Sequence, residues 1–231
     1  MPDGISSSIA QLSCPDSPVF PAELRGREAV HIRIAHSADD LADADRLVAP
    51  LRALGPADDT LRELPFTEAG SIYGDPPFPG SIEAGTALLG DLDADAVHAI
   101  LGAVPPHTVV PHLFELRHLG GRLAHPPACG NAVGNRDARF LFNVVSRRER
   151  ADIADIRPAH RRVFDAVAPW STGGRLRNFM NGENAGSEVP SAHDPAASRR
   201  LAEIKAVYGP KNVFRLDHDI PPAVSAVVDA C

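Results

Sequence analysis

Apolar residues recur at every second position from Ala29 to Ala35, where Val30, Ile32 and Ile34 alternate with His31 and Arg33, and at every third or fourth position from Asp40 to Leu54. A period of two is that of a strand with one buried face, and a spacing of three and four is that of an amphipathic helix. The change of period within one short stretch commits the chain to a sheet and helices that share a core. The helical face consists of Leu41, Ala44, Leu47, Val48, Leu51 and Leu54, and Gly55-Pro56 ends it. A second helix is expected from Asp93 to Val104, with Asp93 as its cap and Val97, Ile100, Leu101 and Val104 as its stripe. Thr108 to His118 reads as a strand with Val110, Phe114 and Leu116 on one face and Leu113, Glu115 and Arg117 on the other. Phe140 to Val145 is another strand, and Ile153 to Val167 a helix that Pro158 kinks or starts. After a polar, glycine-rich loop from Gly182 to Asp194, a helix from Ala197 to Tyr208 packs Leu201, Ile204 and Tyr208, and Asn212 to Pro222 is extended. Strands adjoin strands and strict βαβ alternation is absent. The expected class is therefore α+β: an antiparallel sheet with helices on one face, plus a carboxy-terminal helix and an extended tail.

With 231 residues and 44% hydrophobic content the chain can bury one large core or two small ones. Lys and Arg number 23 against 30 for Asp and Glu, and the only basic cluster is the short run from Arg147 to Arg150, which argues against nucleic acid as a partner. Cys14, Cys129 and Cys231 are odd in number and widely spaced, which fits a reducing compartment. The amino terminus shows no basic-then-apolar leader and no segment reaches membrane-spanning length, so the chain reads as cytoplasmic, with no membrane partner. His107, His112, His118 and His125 match no compact ligand spacing, and no metal site is expected. Asp217-His218-Asp219 places neighbours on opposite faces of an extended chain, and no GxSxG accompanies it. Neither GxGxxG nor GxxxxGK[ST] occurs, so Gly120-Gly121 and Gly173-Gly174 are read as turns. On these grounds alone the chain is an acidic α+β domain of open function.

Ordered blocks add a resemblance. Glu115-Leu116-Arg117-His118-Leu119-Gly120-Gly121 resembles the ELRHLGG block of bacterial FAD-linked oxidases of the berberine bridge enzyme type. Asn131 to Ala138 is similar to their NAVGHRDA, and Ala168 to Gly174 to their APWATGG. Leu201 to Pro222, with Ile204-Lys205, Tyr208, Pro210, Asn212, Phe214-Arg215 and Ile220-Pro221-Pro222, resembles their terminal LKxxYDPxNxFRxNxxIPP. Pro2 to Leu12 resembles an internal PDELSSSVALL stretch, which implies that a member's first half, the main flavin-binding domain, does not precede it in this chain.

The resemblance implies FAD as cofactor and hydride transfer from an alcohol, sugar or related substrate, chemistry that the flavin supplies and the protein aims. It implies a substrate-binding domain at 1–167, a berberine-like segment at 168–222 and a disordered tail at 223–231. Asn178 and Phe179 are the implied cofactor-binding residues, and Glu115 and Arg117 face the substrate. Leu176 and Phe179 stand where members carry the aromatic positions of a Tyr-x-Asn-[Tyr/Phe] motif, so no catalytic base is assigned and the isolated chain is expected to be inactive. Asn135 replaces a frequent His, and Asp217 and Asp219 replace Asn or Gln, which reads as relaxed constraint near an anionic cofactor. Implied partners are a small-molecule substrate and either a separate flavin-domain chain or a second copy, docked through Val213, Phe214, Leu216, Ile220 and the neighbourhood of Phe179. The competing expectation is a cofactor-free small-molecule-binding protein or a decayed remnant.

Overall fold

The computed structural model of the chain describes residues 2–14, 16–18, 22–37, 41–73, 79–104, 112–181, 185–216 and 218–223. Five strands, β1 (Ile5–Cys14), β2 (Arg27–His36), β3 (Ile82–Leu89), β4 (His112–His118) and β5 (Phe140–Arg147), form one antiparallel sheet in the order β2-β1-β4-β5-β3. The helices are α1 (Leu41–Arg52), α2 (Ala94–Ala103), α3 (Ile153–Val167), the single turn α4 (Ala185–Glu188) and α5 (Pro195–Tyr208). The expected α+β class with an antiparallel sheet is what the chain builds. Among the described residues no helix is long and apolar enough to cross a membrane.

The sheet divides the molecule by face. On one face Ala87 and Leu89 of β3, Phe114 of β4 and Phe142 and Val144 of β5 meet Ile100 of α2 and Val163 and Val167 of α3. Phe142 lies between Phe114 and Phe164, the latter edge-on at 6.1 Å. Gly85 is required there, because a Cβ at that position would lie 2.7 Å from the Phe164 ring. Asp93 caps α2 by accepting from the Ala96 amide, as its position suggests. The stripe of α2 differs from the expected one: Ala96, Ile100 and Val104 are buried, whereas Val97 and Leu101 are exposed. Ala96, Ile100 and Val104, spaced by four, form the face that packs toward α3 and the sheet, and Val97 and Leu101 lie one position round the helix from it. Pro158 lies inside α3, which starts at Ile153 with Ile156 donating to Asp152.

Two strands went unanticipated. β3 is buried on both faces, so it shows a run of small apolar residues without alternation. β1 buries Ser8, Ala10 and Cys14, whose small or polar side chains hide its period of two. Edge strand β2 does not follow the expected burial: Val30 is 65% exposed and Ile32 is exposed too, while Arg33 on the other face is half-buried. Among the described residues 212–216 and 218–223 the tail forms no strand, and the expected loop after Gly182 holds α4 and a 3-10 turn, Val189–Ala192, with Val189 and Ala192 buried. Thr108 to Pro111, Asp217 and residues 224–231 lie outside the described residues. Cys14 and Cys129 are free thiols.

Candidate functional site

Opposite the helical layer, cross-strand register stacks two rows. Arg33 of β2, Ser8 of β1, Arg117 of β4, Leu141 of β5 and Leu88 of β3 are direct partners, and so are His31, Ala10, Glu115, Asn143 and Thr86 in the next row. Residues that pair across an antiparallel ladder share a face, so this register brings together side chains far apart in sequence. Ala10 ends at its Cβ and leaves room above it, and the Glu115 side chain fills that room, only 2% exposed. Its two oxygens accept separately: Oε1 from Arg33 Nη1 at 2.9 Å and Oε2 from Arg117 Nε at 2.7 Å. The Tyr73 ring covers both guanidiniums, with its centroid 5.3 Å from that of Arg33 and 5.0 Å from that of Arg117, and the Phe179 ring lies 4.7 Å from Arg117. A buried carboxylate paired twice inside an aromatic frame is a preorganised arrangement, unlike a solvated, salt-laced strand.

A 3-10 turn, Arg177–Phe179, borders the cluster. Thr86 Oγ1 donates to the Phe179 carbonyl at 3.1 Å and ties the turn to β3. Leu176 packs into an apolar cluster with Leu88, Ala138 and Leu141, joined by Leu119 and Phe179. Asn178 is exposed, and its side chain makes no hydrogen bond among the described residues, so the amide does not serve to satisfy the turn. Arg177 is held by the carbonyl of His218 at 2.8 Å, while His218 Nε2 donates to the carbonyl of Met180 at 3.1 Å.

No protein-family model matches the sequence, and no curated protein matches it. Solved structures do. BBE-like 1 of Physcomitrella patens superposes with a TM-score of 0.68 at 14% identity, over 97% of this chain and 48% of that one. The 6-hydroxy-D-nicotine oxidase of Arthrobacter nicotinovorans gives a TM-score of 0.69 at 20% identity, over 96% and 49%. A variant of berberine bridge enzyme gives 0.70 at 13% identity, over 97% and 50%. The chain has the fold of half a berberine bridge enzyme. It spans about half the length of the solved structures that it matches.

Within this half-fold the four site residues expected from sequence fall into two groups. Glu115 and Arg117 belong to the buried cluster, and Phe179 touches it through Arg117, whereas Asn178 stands on the open side of the turn. Arg33, Tyr73 and Ser8 were missed. Arg33 alternates with apolar residues and so looks like a solvent-facing position, and Tyr73 follows a 3-10 segment, Phe66–Ile72, that carries no periodic signal. The β2-β1-β4 register joins Arg33 and Ser8 to Glu115, and Tyr73 joins through its ring over the two arginines.

Two of the residues that depart from the family blocks, Asn135 and Asp219, have structural partners. Asn135 adopts a left-handed φ of 56°, and its Nδ2 donates to the carbonyls of Arg175 at 2.9 Å and Ser191 at 3.0 Å. It also occupies the space where a Cβ on Gly174 would fall. Asp219 accepts from Asn212 Nδ2 at 2.8 Å and Lys205 Nζ at 3.2 Å, and the Asn212 hydrogen bond, followed by the Lys205 contact, holds its carboxyl below the usual range. Asp219 thus staples the tail to α5, aided by the Ala223 amide donating to Ala202 and by Ile220 packing on Met180, Val189 and Ala192. Between the staples, Val213, Phe214 and Leu216 point outward, Phe214 and Leu216 being 86% and 88% exposed. Tyr208 and Ile204, expected to pack, are 85% and 39% exposed, because α5 turns Ala197, Leu201, Ala202, Lys205 and Ala206 inward.

Proposed function

We propose that the chain is the substrate-binding, flavin-covering half of an FAD-dependent oxidoreductase, inactive alone and completed by a flavin-binding domain on a separate chain. The observation that carries this reading is the match of nearly the whole chain to one half of several oxidases, with a buried ionic cluster on the sheet face beside the Arg177–Phe179 turn. FAD would supply the hydride acceptor. The residues here fit the ring end of that cofactor: an exposed, uncommitted amide at Asn178 suits its polar rim, and Phe179 supplies a flat apolar neighbour. Among the described residues no glycine-rich loop at a helix start offers a seat for the pyrophosphate, and that task falls to the partner.

This chain's own groups bind and orient. Glu115 has both oxygens occupied, which fixes Arg33 and Arg117 as donors toward whatever lies on the face, and Tyr73 and Phe179 shield them from water. Neither Leu176 nor Phe179 can hold a proton, and Leu176 is packed inward, so a base must come from elsewhere. The exposed apolar side chains of Val213, Phe214 and Leu216 supply the surface for the flavin chain. The test is reconstitution: mixed with the flavin-binding half of a bacterial relative, the chain should restore substrate-dependent oxygen uptake, while each half alone does nothing. Uptake by this chain alone, or none from a mixture that forms a complex, would overturn the reading. The ionic cluster is complete within this chain, and this favours a second reading, a cofactor-free small-molecule-binding protein, should no flavin chain associate.

A further inference from the structure

We infer that this sheet face takes the carboxylate of a small organic acid, held by Ser8, Arg33 and Arg117. The inference rests on the reading of the face as the substrate face and goes on to name the ligand's class. Ser8 stands directly between Arg33 and Arg117 across the ladder. It is 7% exposed, yet its Oγ has no hydrogen-bond partner among the described residues, and neither has the buried Nε of Arg33. Buried polar atoms are nearly always partnered, and two orphans side by side on one face mark a missing acceptor.

The chemistry of that acceptor follows from what is already taken. Each Glu115 oxygen accepts from one arginine, and neither is hydrogen-bonded to Ser8 Oγ or Arg33 Nε. Arg33 Nε can only donate and the Ser8 hydroxyl can donate beside it, so an occupant that serves both must present lone pairs. Two guanidiniums and one carboxylate leave a single uncompensated positive charge in a largely buried setting, which a monoanion neutralises. A phosphate dianion would instead leave a buried negative charge. Two oxygens in one plane also match the guanidinium fork. The rings of Tyr73 and Phe179, which flank Arg117, offer an apolar wall for the body of the acid.

Benzoate is the probe, titrated calorimetrically into the chain as purified, without flavin, beside benzyl alcohol and inorganic phosphate. Saturable benzoate binding is expected, with benzyl alcohol and phosphate each at least about tenfold weaker, as suits loss of charge-assisted hydrogen bonds in one case and excess charge in the other. Ser8→Ala should weaken benzoate about tenfold or more. The same variant should melt no lower than the parent, because the hydroxyl it removes has no internal partner. A lower melting point, equal binding of benzyl alcohol or phosphate, unchanged affinity in Ser8→Ala, or no benzoate binding would each overturn the inference. Failure here with an active reconstituted oxidase sinks only the carboxylate class. Benzoate binding as expected, together with failure of every flavin-binding half to associate with the chain, sinks only the oxidase reading.

Discussion

Replacing Glu115 by Gln removes one charge and leaves the shape. Glu115 is 2% exposed, and its partners Arg33 and Arg117 are 13% and 24% exposed, so the pair of contacts lies largely out of water. In the variant, one carbonyl oxygen can serve one arginine, while the amide nitrogen, a donor, faces the other. Both guanidinium carbons lie within 5.3 Å of the Tyr73 centroid, hence no more than about 10 Å apart, and the variant leaves these two like charges without the carboxylate that attracts both. A charge-assisted hydrogen bond is worth about 1.5–3 kcal/mol, and removing one partner of a buried pair costs about 3–5 kcal/mol, which is the loss expected here. For a chain of this length that is a fall in melting temperature of roughly 6–20 °C. Thermal and urea melts of Glu115→Gln, Arg33→Met and the double variant measure it. The double variant should cost less than the sum of the two, because it removes a cation together with its counter-charge. The triple variant Arg33→Met, Glu115→Leu, Arg117→Met should recover much of the loss, since an apolar replacement leaves no orphan charge. A Glu115→Gln melt within about 0.5 kcal/mol of the parent, the usual effect of a surface change, would refute the buried cluster.

Three further outcomes follow from other parts of the fold. Asp219→Asn should release the tail, seen as faster amide exchange from Asn212 to Ala223. The depressed carboxyl means that in the parent the staple is intact at neutral pH and is lost as pH falls through the folded-state pKa, below the ordinary Asp range of about 3.9. His118, stacked on Phe140 with centroids 5.0 Å apart, has its pKa lowered chiefly by burial, so stability should fall as pH drops below about 6.5, and His118→Phe should flatten that part of the profile. Phe214→Asp with Leu216→Ser should reduce self-association and dye binding of the isolated chain without lowering its melt, because both side chains are outside the core.

Legibility in the sequence tracked the length and contrast of each pattern. α1, α2, α3 and α5 lie close to the positions that the three-and-four spacing and the Asp93 and Gly55 boundaries indicate; Gly55 has the left-handed φ of 66° that such a helix end needs. β3 escaped because both its faces are buried, and β1 because serine and alanine carry its buried face. Glu115 and Arg117 could be picked out because they share one strand and one motif. Arg33, Ser8 and Tyr73 could not, since nothing local links them: the ladder makes Ser8 and Arg33 neighbours of the Glu115 strand, and Tyr73 reaches them from the end of a 3-10 segment. Asn135 and Asp219 carry structural hydrogen bonds that a departure from a family pattern does not reveal.

The central claim is that this half-fold works against a flavin-binding partner chain, and sedimentation velocity followed at a visible flavin wavelength tests it most directly. Alone, the chain should show no visible absorbance. Mixed with the flavin-binding half of a bacterial relative, it should sediment with the flavin signal at one copy of each, and amide exchange should slow at Val213 to Leu216 and around Phe179. A flavin signal that sediments at the rate of the partner alone, with exchange at those residues unchanged, would contradict the account.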